Sequence, residues 1–324
     1  MSKIAYRDAV RDALSEEMER DARVFLLGEE VAQYNGAYKC SKGLLDKFGP
    51  ERILDTPISE AGFSGLAIGA AMSGLRPVVE FMTWSFSFVA FDQIVNNAAN
   101  MRYMSGGQTH VPIVFRGNSG GGHQIGATHS HAPEGIYASF PGLKVVVPAF
   151  AADAKGLLKS AIRDEDPVLV IENEALYGRE SEVPEGEYLV PIGKANILQD
   201  GQDVTIVTHG LACWTVLEAN QELLKQGIRA EIIDLRSIKP LDYETIARSV
   251  RKTGRLVCVD ETKPFGGVSA QVAAEIGRSC FDHLDAPILR VTSLDVPMPF
   301  STALEDECVP NQRRILEAVK EVLG

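Results

Sequence analysis

Short apolar runs without alternation, recurring between helical patterns, constrain this chain most. Val24–Leu27, Ile53–Leu54, Val78–Met82, Val111–Phe115, Val145–Val147 and Val168–Ile171 are each a few residues long, most of them bounded by Gly, Pro or polar residues. A strand with one wet face alternates apolar and polar side chains, whereas a strand covered on both faces does not. Such runs interleaved with helices predict parallel sheets with helices on both sides, a doubly wound α/β architecture. Ile4, Ala9, Val10, Ala13, Leu14 and Met18 fall at helical spacing and predict a helix over 3–20. Arg179–Tyr188 is acidic, aperiodic and interrupted by Pro184, and reads as a surface linker. Beyond it the alternation resumes, with strands predicted at Val204–Thr208, Ala230–Ile233, Leu256–Val259 and Ile288–Val291. Helices are expected over 212–226, 242–252 and 267–281, and a last one after Pro310 carrying Ile315, Leu316, Val319 and Leu323. Two α/β domains, 1–186 and 187–324, suit a chain of 324 residues.

Charge narrows the partners. A formal net charge of -12 argues against nucleic acid, whose phosphates need clustered Lys and Arg, and against an anionic membrane surface. No apolar run reaches the ~18 residues of a membrane span, and Met1–Asp8 has neither a signal-peptide core nor the look of a transit peptide. Cys40, Cys213, Cys258, Cys280 and Cys308 are scattered, without a C-x-x-C pair, and predict free thiols in a reducing cytoplasm.

Chemistry concentrates around Asp55-Thr56-Pro57-Ile58-Ser59-Glu60-Ala61-Gly62, where a strand turns into a helix of very small residues. Glu60 reads in two ways. It can be an acidic first-turn residue that complements the helix dipole. It can also be a buried carboxyl with a raised pKa, suited to trading a proton with a heterocyclic nitrogen. In the helix that follows, Gly65, Gly69 and Ser73 recur at every fourth position and so share one face. Glycines in a helix cost roughly 1 kcal/mol each, which close packing, at a subunit interface or within the domain, must offset.

Glu80–Gln93 holds five aromatics within eleven residues, a core cluster from which one ring could contact a ligand. Arg116–Gly126 is glycine-rich after a strand, but it lacks Gly-Lys-Ser/Thr and a strict Gly-x-Gly-x-x-Gly register. A mobile active-site loop fits it better than a nucleotide cradle, which disfavours a nicotinamide oxidoreductase. His129-Ser130-His131 closes that loop, and His129 reads as a polar catalytic group rather than one half of a metal pair.

Taken together these segments resemble the beta subunits of the thiamine-diphosphate-dependent decarboxylating component of 2-oxoacid dehydrogenase complexes, with the pyruvate type nearest. The resemblance is carried by Gly28–Lys39, Asp55–Glu60, Gly74-Leu75-Arg76-Pro77, Phe91–Ile94, Arg102–Gly107, Val111–Gly117 and His129-Ser130. It continues in Pro141–Val146, Asp153–Leu158 and Asp295–Pro299, and runs from about residue 4 to the C-terminus. It implies a transketolase-like pyrimidine-binding domain followed by a transketolase C-terminal domain.

The resemblance also implies site residues. The glutamate matching Glu60 would hydrogen-bond the coenzyme's aminopyrimidine and trade a proton with it. His129 would steady the intermediate or assist acyl transfer to lipoamide, and Ile58, Met82 and Phe86 would line the pyrimidine pocket. Ile113, Ala161, Ile162, Asp164 and Asp166 match positions that hold a potassium ion in relatives, though relatives often carry Asn where Asp166 stands. No Gly-Asp-Gly occurs in this chain. Magnesium and the diphosphate would therefore be held by an alpha subunit, in an alpha2-beta2 tetramer docked on the dihydrolipoyl acetyltransferase core. Branched-chain 2-oxoacid and acetoin dehydrogenase beta subunits are alternatives within the class, and a non-catalytic scaffold subunit lies outside it.

Overall fold

A computed structural model describes residues 2–324. It resolves into two compact units, one running through Ser119 and resuming over Tyr137–Ile192, the other formed by Gly120–Ile136 and Gly193–Gly324. The segment 120–136 thus groups with the C-terminal half, an excursion that a boundary drawn at 186/187 does not contain.

The first unit contains β1 (Ser2–Ala5), α1 (Tyr6–Arg20), β2 (Val24–Gly28), α2 (Leu44–Phe48), β3 (Ile53–Asp55), α3 (Glu60–Met72) and β4 (Arg76–Glu80). It continues with α4 (Ala99–Met104) and β5 (Val114–Ser119) and, after α5 (Glu134–Ala138), with β6 (Lys144–Val146), α6 (Ala151–Arg163), β7 (Val168–Asn173) and β8 (Glu180–Val183). Parallel strands run in the order β6-β7-β5-β4-β2-β3. Every residue of β4, β5 and β7 is buried, which is why their sequences show no alternation. The strand expected at Val111–Phe115 begins only at Val114, because Ile113 N–H turns back to Val111 C=O at 2.8 Å.

Two expectations change at the edge of this unit. The helix foreseen from residue 3 starts at Tyr6, because Ser2–Ala5 pairs antiparallel with Glu180–Val183. The same pairing overturns the linker reading of residues 179–188. Ser2 stands opposite Val183 and Ala5 opposite Glu180, a contact that no local pattern reveals. Glu187 is also engaged, accepting from Lys159 Nζ and Arg163 Nη2 at 2.5 Å each. Lys159 is fully buried on α6 and also donates to Glu16 of α1 at 2.6 Å.

The second unit holds β9 (Asn196–Gln199), β10 (Val204–Thr208), α7 (Ala212–Lys225), β11 (Ala230–Asp234), the short β12 (Ser237–Lys239), α8 (Tyr243–Thr253), β13 (Leu256–Val259), α9 (Val268–Ser279), β14 (Leu289–Val291), α10 (Thr302–Cys308) and α11 (Gln312–Leu323). Its five-stranded sheet has the order β14-β13-β10-β11-β9, parallel except for β9. Val204, Ile206, Val257 and Val259 meet Val216 and Leu223 of α7 and Ile315 and Val319 of α11 in one core. Local signals end these helices cleanly. Asp242 caps α8 by accepting from Thr245 N–H at 3.2 Å, Gly254 follows it at φ 69°, and Asn311 caps α11 by accepting from Arg314 N–H at 3.1 Å. All five cysteines are buried free thiols. No helix among the described residues is long and apolar enough to cross a membrane.

A buried ion cluster ties the central strands of the first unit. Arg116 of β5, 1% exposed, donates to both oxygens of Glu172 on β7 at 2.8 and 2.6 Å and to Tyr177 Oη at 3.1 Å, and it pairs with Glu80 of β4. Removing one member of such a buried set leaves uncompensated charge and costs about 3–5 kcal/mol. Arg116→Met is therefore expected to lower stability by that amount, read as a fall in the urea midpoint with little change in slope.

Candidate active site

In open parallel sheets, ligands collect beyond the carboxyl ends of the strands. Gly28, at the end of β2, stands opposite Asp55 of β3 and Glu80 of β4. A Cβ on Gly28 would lie 2.4 Å from Glu80 O, so only glycine lets β2 approach β4 there. The chain then leaves the sheet at Glu29 in a turn with Glu30 at φ 60°. Asp55 clasps this turn, accepting from Ala32 N–H at 2.7 Å and Gln33 N–H at 3.0 Å. Thr56 N–H closes the set on Gly28 C=O at 2.9 Å. Backbone geometry and one carboxylate thus deliver Glu29 to the strand ends.

Glu60 arrives from the neighbouring strand. Pro57, Ile58 and Ser59 are exposed, yet Glu60, the first residue of α3, is only 6% exposed. Glu29 is also buried, and its Oε1 receives no N–H or hydroxyl donor among the described residues. Burial, the charge of Glu60 and a hydrogen bond to the Glu60 carboxyl push Glu29 from its ordinary 4.5 up to about 7. Glu29, beside the buried carboxyl of Glu60, therefore takes up and releases a proton near neutral pH, at the start of a helix and the ends of two parallel strands. The site can give and take a proton without any histidine. The sequence reading assigned no role to Glu29, although Gly-Glu directly after a buried apolar strand is a visible signal of a carboxylate delivered to a sheet edge.

Ile58, Met82 and Phe86, expected to line a pocket, group with this pair in the same unit. Ile58 is 87% exposed, two residues from the buried Glu60, and presents a large aliphatic surface to whatever covers it. Met82 and Phe86 are half-buried just beyond β4. Most of the aromatic stretch is core: Phe81 stacks on Phe115 with centroids 5.9 Å apart, and buried Trp84 packs on Phe81 and Tyr137. Along α3 the small-residue face divides. Gly65 faces Gln93, whose Oε1 would lie 3.2 Å from an added Cβ, whereas Gly69 has open space beside exposed Leu66, Met72 and Ser73.

His129 lies in the second unit, half-buried, with its Nδ1 2.9 Å from Thr128 Oγ1. The glycine loop before it offers no open amides to a phosphate at Gly122 and Gln124, because the Glu305 carboxylate already accepts from both at 3.0 and 3.1 Å. The potassium candidates are brought together, but their oxygens are engaged. Ile113 C=O accepts from Val168 N–H at 3.0 Å and Ala161 C=O from Asp164 N–H at 3.2 Å. Arg76 Nη1 donates to the carbonyls of Ile162 and Asp164 at 2.9 and 3.0 Å. Lys144 takes the Asp164 carboxylate and, with Arg102, the Asp166 carboxylate. A potassium ion here would have to compete with a guanidinium already seated on two of its carbonyls.

Two α/β units, with a buried carboxyl pair at the strand ends of the first, define a protein of the transketolase class. The model of the transketolase pyrimidine-binding domain matches residues 2–180, and that of the transketolase C-terminal domain matches residues 193–315. A solved structure described as a split gene transketolase, inactive beta4 tetramer, superposes with TM-score 0.79 at 28% identity, covering 99% of this chain and 98% of that one. The pyruvate dehydrogenase E1 component subunit beta of Rickettsia felis is 52% identical over 99% of this chain and 98% of its own length. The counterpart from Rhizobium meliloti is 51% identical over 99% of this chain and 70% of its own length, and the mitochondrial one from Caenorhabditis elegans 51% over 100% and 93%. The chain belongs to the family of pyruvate dehydrogenase E1 component beta subunits.

The carboxyl pair has a signature in stability. A carboxyl whose folded pKa is raised contributes stability that is present below its ordinary 4.5 and lost as pH rises through about 7. Glu29→Gln removes that titration. Denaturant unfolding is expected to show the native protein losing stability relative to Glu29→Gln across this window, and parallel curves would rule out the raised Glu29 carboxyl.

Proposed function

We propose that this chain is the beta subunit of the decarboxylating component of a pyruvate dehydrogenase complex. It serves the oxidative decarboxylation of pyruvate and the reductive acetylation of lipoamide on the acyltransferase, towards acetyl-CoA. The observation that carries the reading is the buried Glu29 and Glu60 carboxyls, with Glu29 raised to about 7, at the strand ends of a pyrimidine-binding fold. The names of the relatives favour pyruvate over branched-chain 2-oxoacids or acetoin.

The buried carboxyls and the apolar residues beside them fit the aminopyrimidine half of thiamine diphosphate. When bound, the coenzyme supplies the electron sink for loss of carbon dioxide. Glu60 presents its carboxyl to a ring nitrogen of the pyrimidine and moves a proton there. Glu29 keeps that proton available near neutral pH, since a proton donor works best with a pKa close to the working pH. Ile58, Met82 and Phe86 exclude water around the ring, and His129 serves the transfer of the acetyl group to lipoamide.

Nothing in this chain matches the magnesium–diphosphate segment of thiamine enzymes, so the reading assigns that half to an alpha subunit in an alpha2-beta2 assembly. Exposed Ile58, Leu66, Met72 and Val89 and the open Gly69 edge of α3 support a subunit contact on this face. Docking to the dihydrolipoyl acetyltransferase core belongs to the same reading. Potassium enters it only if the ion can displace Arg76, which a potassium-specific rise in the thermal midpoint at constant ionic strength would report. Five free buried thiols suit a reducing cytoplasm.

Glu60→Gln keeps the shape and removes the exchangeable proton. Assembled with an alpha subunit and titrated with thiamine diphosphate, the variant is expected to bind the coenzyme yet lose ~100-fold or more in pyruvate turnover, the scale of a lost general acid–base group. Retained turnover would overturn the assignment, and faster native turnover of 2-oxoisovalerate or acetoin than of pyruvate would move it to the neighbouring enzymes.

A further inference from the structure

At the C-terminal edge of the second sheet lies a buried cluster of titratable groups that the chemistry above does not use. His209 follows β10, Asp234 ends β11 and Asp260 follows β13, on three adjacent strands. They are 3%, 0% and 2% exposed. Glu134, 3% exposed at the start of α5, faces them with its Oε1 3.3 Å from His209 Nε2. Its Oε2 is buried with no hydrogen-bond partner among the described residues. Asp260 accepts from the N–H groups of Thr262 and Ser269, both at 2.9 Å, and Asp234 accepts from Arg236 N–H at 3.0 Å. Of the three carboxyls, Glu134 is the one that meets the imidazole directly.

Burial alone would push His209 down. The hydrogen bond to Glu134 and the charges of Asp260, Glu134 and Asp234 outweigh it and raise the imidazole above its ordinary 6.5. The Glu134 carboxylate and the His209 imidazolium thus form a buried pair whose charge depends on pH.

This pair closes one end of the segment that carries His129. At the other end Glu305, 2% exposed, accepts from Gly122 and Gln124 N–H. Between these two fastenings Ser130 Oγ–H donates to Gly126 C=O at 2.8 Å, and His131 C=O accepts from Gly120 N–H at 2.9 Å. A Cβ on Gly135 would lie 2.8 Å from Gly266 O, so the first turn of α5 is pressed against the main chain where Glu134 enters.

We propose that Glu134 and His209 are positioning residues for His129: their ion pair pins the C-terminal end of its loop while His209 is protonated and releases it when that proton leaves. The proposal rests on the reading of His129 as the acyl-transfer group. A raised imidazole makes the pin fully present below pH ~6.5, and the pin is lost as pH climbs through the raised value. The amides bound to Glu305 and the main-chain bond from Gly120 N–H to His131 C=O do not titrate, so alkaline pH loosens only the Glu134 fastening.

The test uses the alpha–beta tetramer loaded with thiamine diphosphate, with acetyl transfer to a lipoylated domain and dye-coupled decarboxylation of pyruvate measured in parallel across pH. Glu134→Gln is expected to slow acetyl transfer ~10-fold and to flatten its alkaline limb, while dye-coupled decarboxylation stays within about twofold. Hydrogen exchange in the native tetramer, corrected for intrinsic rates, should rise over residues 125–133 as pH passes the His209 transition. Glu134→Gln should be fast at both ends of the range. An unchanged transfer profile in Glu134→Gln, or pH-independent native exchange over this segment, overturns the proposal, and the native measurement decides alone if the variant fails to assemble. His129→Ala separates the two readings. If it abolishes transfer while Glu134→Gln is silent, only the pin is wrong; if it leaves transfer intact, the role given to His129 falls and the pin with it.

Discussion

Arg116 is the group on which the first unit's architecture depends, because its guanidinium sits among the carboxyl ends of three parallel strands. Glu80 on β4 and Glu172 on β7 stand on either side of Arg116 on β5, and none of the three has more than marginal access to water. Burial raises Glu80 and works against the arginine charge that lowers it, so the cluster is held at the limit of what pairing can compensate. That tension has a structural return. Glu80 is in register with Gly28, and its main-chain oxygen is the atom that forbids any side chain there. Fixing Glu80 therefore fixes where β2 ends and where Glu29 emerges.

The same economy of parallel strands governs both sheets. Each gathers ionisable side chains at its carboxyl edge, where strand ends converge and helices begin. In the first unit the outcome is a glutamate, Glu29, raised by burial and by its carboxyl neighbour. In the second it is a histidine among three carboxyls. A buried like-charge pair is relieved by keeping a proton, whereas a buried imidazole among carboxylates is relieved by gaining one. Both edges consequently carry a group raised above its ordinary pKa, and this follows from burial and neighbours rather than from residue type.

Much of the fold was legible because its causes are local. Fully buried strands betray themselves by unbroken apolar runs, and the helices expected over 212–226, 242–252 and 267–281 fall within two residues of α7, α8 and α9. The failures share one cause. Ser2–Ala5 and Glu180–Val183 make a ladder only with each other, so each looks featureless alone, and one was read as helix and the other as linker. The excursion of 120–136 into the second unit is set by Glu305 and His209, residues far along the chain. At the site, the placement of Glu60 and of Glu29 has a local sign in the sequence, while the raised pKa of Glu29 does not, since it exists only beside Glu60.

The sequence by itself determined the class of architecture, most of the helix ranges and the free thiols, because periodicity and residue type act over a few positions. Only the tertiary structure decided which carboxyl is raised by its neighbour, which carbonyls Arg76 has taken, and which half of the chain holds the segment bearing His129. Those outcomes depend on burial and on distances between residues remote in sequence, and charge in a low-dielectric interior is governed by such neighbours.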